Sequence, residues 1–443
     1  MIDNKLNTHL DNILSNENNF FFYNKRREAV KVIQQNGIMQ LDEDLKSSKL
    51  HKFLSREYSF NSIEEPSDDV FECMIDNFKS YTYCLENASH ISKHFNDNIN
   101  IEVDNIINAS NKVEDYLGSL VDIEENGLYA LNTAAFTGGF YINIPDNEVV
   151  EIPIQLLSAY NSDTNAFYNS RNVIIVGKNA QVKIIQCDDV YTTHDFFINN
   201  MTEIFVKENA HVELYKMHNL ANNTGMVNSI FIDQDSSSVV RTFNIEFNAG
   251  YILGNHSIRL SGENAENSTF GVYLADKQQE MDNYVCVEHI GVNNQSNQIF
   301  KGLIDDNARS TFVGKIIVHR DSQGTSASQL NNNILLSPKA RAYSKPYLEI
   351  YADDVKCSHG ATTGQIDEEA LFYMQQRGLS FDTARKLLLN AFVSEVIEQI
   401  NIEPIKVKIS DMVKKRLTGE LTQCNNCILR CSESKKQKNN LSY

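Results

Sequence analysis

The tetrapeptide Gly177-Lys178-Asn179-Ala180 sits between two β-rich runs, Asn172–Val176 and Val182–Ile185, and it recurs. Lys207-Glu208-Asn209-Ala210, Gly262-Glu263-Asn264-Ala265 and Asp305-Asp306-Asn307-Ala308 have the same texture. Degenerate copies stand at Asp235-Ser236 and Ser337-Pro338-Lys339-Ala340. Asparagine tolerates left-handed backbone angles and alanine lets neighbouring coils approach closely, so each copy reads as a tight turn between strands. The alanine-equivalent positions 180, 210, 236, 265, 308 and 340 step by 30, 26, 29, 43 and 32 residues, a soft period with one long insertion. Such a period predicts stacked β units, each unable to bury its own face alone. A β-helix or similar solenoid is the preferred reading, and a multi-sheet sandwich with coincidental turns is the alternative.

Outward from these turns, further short runs fit strands: Glu203–Val206, His211–Tyr215, Val239–Phe243 and Thr311–Val318. The β texture holds from about residue 126 to 365. Residues 1–125 read as helical, with Leu6, Leu10, Ile13 and Leu14 at helical spacing and Ala29, Val32 and Ile33 extending an apolar face. The burst Phe20-Phe21-Phe22-Tyr23 is expected to fill core. Residues 366–420 turn helical again. Asp367-Glu368-Glu369 opens one helix, Gly378 closes it, and a second covers Asp382–Ile400 with Ala384, Leu388, Ala391 and Phe392 on one face. Residues 421–443 form a polar, basic, Cys-containing tail expected to fray.

Composition bounds the function. The chain has 443 residues, 42% of them hydrophobic, and a formal net charge of −18, which argues against wrapping nucleic acid or lying on an anionic membrane. No run of about 18 apolar residues is present and the N-terminus does not read as a signal peptide, so a cytoplasmic chain, or one in an organelle with an equivalent reducing interior, is expected. Eight cysteines are too few for a disulfide scaffold. Neither a GxxxxGK[ST] phosphate loop, a GxSxG elbow nor an HExxH pair appears.

The strongest local feature is Tyr351-Ala352-Asp353-Asp354-Val355-Lys356-Cys357-Ser358-His359-Gly360-Ala361-Thr362. On a strand, Cys357 and His359 point to one face, where thiolate and imidazole suit iron or zinc. Glu349, Asp353 and Asp354 are candidate oxygen ligands. The plainer reading is a buried cysteine beside a hydrogen-bonded histidine. Cys424, Cys427 and Cys431 resemble cluster ligands superficially but lack a nearby fourth cysteine. Cys73, Cys84, Cys187 and Cys286 are read as packing residues. His194, His211, His218, His256, His289 and His319 fall in the β region and are read as mostly structural.

The stretch Asn331–Ser337, then Lys345–Gln365 with its Lys356-Cys357-Ser358-His359-Gly360-Ala361-Thr362, resembles the SufD branch of the SufB/SufD family. Asp367–Tyr373 with Arg377-Gly378, His289, Gln298 with Lys301-Gly302, and Leu131–Phe136 extend the resemblance over about 126–400. Two departures stand out: Asp42-Glu43-Asp44-Leu45-Lys46 replaces a Glu-Trp-Lys-Tyr-like element, and the cysteine-bearing tail has no counterpart.

The resemblance implies a mainly β protein, a right-handed parallel β-helix core flanked by N-terminal and C-terminal helical regions. It implies a non-catalytic scaffold subunit in iron–sulfur cluster assembly. Its expected partners are a SufB-like paralogue and a SufC-like ABC-type ATPase docked through helices in 367–400; a homodimer is one option for the chain alone, which the sequence does not decide. His359, with Cys357 beside it, is the implied ligand of a transient iron–sulfur cluster shared with the partner, none being held stably by the isolated chain. The competing reading is a β-helix enzyme acting on acidic polysaccharide, with Asp353, Asp354, Lys356 and Arg341 along a groove.

Overall fold

The computed structural model describes residues 4–15, 22–39, 43, 47–60, 78–95, 99–190 and 194–418. Strands alternate between two sheets, one strand to each sheet per coil. One sheet runs through Phe140–Ile144, Ala166–Val176, Phe196–Val206, Thr224–Gln234, Tyr251–Leu260, Glu280–His289, Arg309–Val318 and Arg341–Ile350. The other runs through Tyr81–Glu86, Ile154–Tyr160, Gln181–Val190, His211–Asn219, Val239–Asn248, Glu266–Ala275, Gln295–Ile304, Thr325–Leu335 and Val355–Gly364. Neighbours along both lists pair in parallel, giving a β-solenoid of about seven turns.

The register corrects the reading of the repeat. Positions immediately before in-register residues of the second sheet are 180, 210, 238, 265, 294, 325 and 355, stepping by 30, 28, 27, 29, 31 and 30. Ala308 and Ala340 precede Arg309 and Arg341, which pair in the first sheet, and so lie on the opposite edge. The step of 43 is therefore no insertion: the series crosses from one edge of the solenoid to the other. Both edges need tight turns, which is why both carry similar residues. Asn179, Asn209, Ser237, Asn264 and Asn293 take positive φ at one edge, Lys277 and Asp306 at the other. Asn179 donates through Nδ2 to Asn147 Oδ1 at 2.8 Å, and Asn209 donates to Asn179 Oδ1 at 2.8 Å, so side-chain amides clamp successive coils.

Inside the solenoid, alternate residues meet in a core that includes Ile184, Ile204, Leu214, Ile230, Ile258 and Val285. Each sheet also buries its outer face in part. Leu6, Leu10, Ile33, Leu128 and Leu131 from the N-terminal helices pack against Phe167, Phe197, Val227 and Tyr251 of the first sheet. The helices Phe381–Ile397 and Glu403–Leu417 pack Leu389, Val393, Val396, Ile405 and Ile409 against Phe243, Phe270, Leu274 and Leu303 of the second. Their starts are set by chemistry legible in the chain: Ser380 Oγ accepts from the Thr383 N–H, and Asp367 caps Glu368–Gln376 through the Ala370 N–H.

Two expectations change here. Residues 1–125 are not all helical: Tyr81–Glu86 and Glu102–Asn105 add strands to the first coils. Within 382–400 the buried face is Ala384, Leu389, Val393, Val396 and Ile397, while Ala391 is exposed. Of the aromatic burst, Phe22 packs against Phe136 at 5.9 Å, whereas Phe20 and Phe21 lie outside the described residues, as do Cys73 and the tail from 421 onward.

Candidate functional site

The two sheets end on Arg341–Ile350 and Val355–Gly364, and neither strand has a further neighbour among the described residues. Their outer edges therefore have no strand partner among the described residues, the condition under which a strand edge accepts another chain. Exposure follows: Tyr343, Tyr347, Ile350 and Tyr351 are large apolar residues left in solvent on this last coil.

Cys357 and His359 both lie on the terminal strand. Cys357 is in register with Ala327, and His359 with Gln329, which is in turn in register with Gln298. Ala327, Gln329 and Gln298 are buried, and strand alternation therefore places Cys357 and His359 on the lumen side of the last coil. His359 is exposed because no coil lies above it, while Cys357 is half-buried against Ile316, Val318 and Leu348. Burial pushes the Cys357 thiol up, with the hydrogen bond from Ala327 opposing. One soft sulfur donor and one imidazole thus share a face, two residues apart, at an open end.

The other candidate ligands do not join them. Glu349 pairs with Lys315 at 2.9 Å on the first sheet. Asp353 and Asp354 are exposed in the turn joining the last two strands. Among the described residues no three or more His, Cys, Asp or Glu converge as a metal site. The polysaccharide groove is separated too. Arg341 starts the ten-residue strand Arg341–Ile350, at the opposite edge from Asp353, Asp354 and Lys356. At about 3.3 Å per residue that is on the order of 30 Å. Cys84, Cys187 and Cys286 are buried, and burial raises the thiols of Cys84 and Cys286, as packing residues should behave.

Two residues singled out by their motifs find partners. His289 is buried with Nε2 2.9 Å from Ser296 Oγ, and burial depresses its pKa to about 4. Ser296 is in register with Ala327, itself in register with Cys357, so Ser296 lies two coils below Cys357. Lys301 lies 2.6 Å from Glu395 of Phe381–Ile397 and its ammonium sits 4.7 Å from the Phe392 ring centre.

Deeper in the lumen is a polar cluster that the sequence reading only partly anticipated. Lys216 donates through Nζ to Asn228 Oδ1 at 2.6 Å, and burial lowers its pKa to about 8. His218 Nδ1 lies 3.3 Å from Asp188 Oδ2. Burial raises Glu246 to about 8, and burial together with Lys216 and His218 drives His256 down to about 3. Lys216 and Glu246 occupy inward positions of β-rich runs, and a charge at an inward position was the available signal.

On the C-terminal side, Phe372, Tyr373, Phe381 and Leu387 are exposed, and Glu368–Gln376 buries none of its residues. This helix stands off the solenoid and presents aromatic surface.

Comparison with known proteins gives a consistent set. The family model described as SUF system FeS cluster assembly, SufBD core domain, matches residues 159–392, and that of the SufBD protein N-terminal region matches 4–156. An iron–sulfur cluster assembly SufBD family protein of Synechocystis is 31% identical over 328 residues, 71% of this chain and 69% of that protein. The iron–sulfur cluster assembly protein SufD of Escherichia coli is 33% identical over 219 residues, 49% of this chain and 51% of the relative. SufD of Bacillus subtilis is 24% identical over 302 residues, 67% and 68% respectively. These matches span about half to two thirds of the relatives' length.

Proposed function

The chain belongs to the SufBD family of iron–sulfur cluster assembly proteins, and on that premise we propose that it is a SufD-type scaffold subunit that presents a cluster-binding face at its open solenoid end. The observation that carries this reading is the placement of Cys357 and His359 on one face of a terminal strand whose outer edge is unpaired. Two donors leave the remaining positions around iron to another source. A SufB-like solenoid meeting this end supplies both the missing edge pairing and the missing ligands. The cluster is cargo: it is held between the two chains and passed on.

His359 acts here as a neutral imidazole donor. Cys357, its thiol held protonated by burial, gives up that proton to water when a soft metal ion binds. A SufC-like ATPase docks on the exposed aromatic surface of Phe372, Tyr373 and Phe381. Its nucleotide-dependent states bias the arrangement of the solenoid pair through their different affinities for it. Localisation in a reducing compartment follows from thiol chemistry rather than from any signal in the chain.

Co-expression with SufB-like and SufC-like chains tests the division of labour. Phe372→Ser combined with Tyr373→Ser is expected to lose the ATPase while the SufB-like chain still co-purifies. Retention of the ATPase would remove the docking assignment, and failure of the wild-type chain to capture either partner would overturn the scaffold reading.

A further inference from the structure

Beneath His359 lies a buried amide whose geometry is unusual. Gln329, 3% exposed, donates through Nε2 to Gln298 Oε1 at 2.6 Å, and its own Oε1 is buried with no hydrogen-bond partner. A buried acceptor without a donor forfeits the hydrogen bond that water would give it, so its retention calls for an explanation. The amide is also given room by design of the opposite wall. A Cβ at Gly314 would lie 2.2–2.3 Å from Gln329 Nε2, Cδ and Oε1, so only glycine admits the side chain across the lumen. Gly314 is in register with Pro346 of the last coil, as Gln329 is with His359.

The geometry points to Gln329 as the positioning residue of His359. Adjacent coils stand about 4.8 Å apart, and one coil lower the same ladder already closes a hydrogen bond between Gln329 and Gln298. His359 continues that ladder: one ring N–H donates to Gln329 Oε1, and the other ring nitrogen, now an unprotonated donor, faces the open end. Fixing a metal-ligating imidazole through its second nitrogen sets both its tautomer and its direction. Gln298 in turn holds the Gln329 amide, which gives a role to a motif residue that the site itself does not use.

This inference rests on the reading of His359 as a ligand, and its test has a readout independent of cluster loading. In full-length protein carrying ¹⁵N-labelled histidine, His359→Ala identifies the His359 ring signals. In the wild type one ring N–H of His359 is expected to be protected from exchange and visible near neutral pH. Gln329→Leu is expected to abolish that signal and shift the ring nitrogens, whereas Gln329→Glu, which keeps an acceptor, retains it. Gly314→Ala, which displaces the amide, is expected to reproduce Gln329→Leu in protein whose melting shows it folded. Ring signals identical in wild type and Gln329→Leu would overturn the assignment. If Gln329→Leu changes the ring while His359→Ala leaves cluster accumulation intact, the positioning stands and the ligand reading fails.

Discussion

The Nζ of Lys301, on the solenoid, lies 2.6 Å from Oε2 of Glu395, on the C-terminal helix Phe381–Ile397. The pair is asymmetric: the Lys301 side chain is 6% exposed and that of Glu395 49%. Removing the carboxylate strands a nearly buried ammonium against the Phe392 ring, whereas replacing the lysine by an apolar residue leaves a carboxylate already half in water.

Glu395→Ala is therefore expected to loosen the C-terminal helices more than Lys301→Met does, by about 1–2 kcal/mol given the solvent screening of Glu395. Limited proteolysis of the segment after residue 366 checks the order. Faster cleavage in Lys301→Met than in Glu395→Ala would contradict it.

Glu246 makes stability fall with rising pH. Facing Asn283 inside the lumen, with Lys216, His218 and His256 nearby, its carboxyl is pushed up from 4.5 to about 8 by burial. The unfolded chain ionises above its ordinary value while the folded one holds the proton. This contribution is present below 4.5 and is lost as pH rises through about 8. Glu246→Gln is neutral in both states, so it is expected to gain on the wild type between about pH 5 and pH 8, by an amount on the order of a few kcal/mol. His256 has the opposite sign: depressed from 6.5 to about 3, its contribution is lost as pH falls through that window. Urea midpoints measured across pH for wild type, Glu246→Gln and His256→Asn separate the two.

Asn179 combines a φ of 57° with amide bonds to the coils on both sides. Asn179→Ala loses both bonds and strains the backbone, at a cost of about 1–3 kcal/mol. Asn179→Gly keeps the left-handed angle and loses only the bonds, so it is expected to cost less than alanine. Equal destabilisation of the two variants in urea would show that the angle carries no penalty.

Those asparagine turns were also where the sequence was most informative and most misleading. Asn179 and Asn209 announce a coil of about 30 residues because the left-handed corner needs such a residue at each turn. The two edges impose the same backbone demand, so Asn307-Ala308 reads like Asn264-Ala265 although they lie on opposite edges. Tyr81–Glu86 was hidden for another reason: in an otherwise polar stretch it pairs locally only with the short strand His90–Lys93 and gains its solenoid partner, Ile154–Tyr160, from far along the chain. At the candidate site, the two-residue spacing of Cys357 and His359 was enough to place both on one face. The open edge was not legible, since it depends on which strand is last to pair. Nor was Gln329, an ordinary glutamine until register sets it between His359 and Gln298.

The account turns on His359 as a ligand at the open end of the solenoid. The direct measurement is iron and acid-labile sulfide per complex after anaerobic purification of the chain with its SufB-like and SufC-like partners, wild type against His359→Ala. The variant, exposed at this position and folded, is expected to keep both partners while iron and sulfide fall together several-fold. An intact complex of His359→Ala carrying wild-type iron and sulfide would contradict the account.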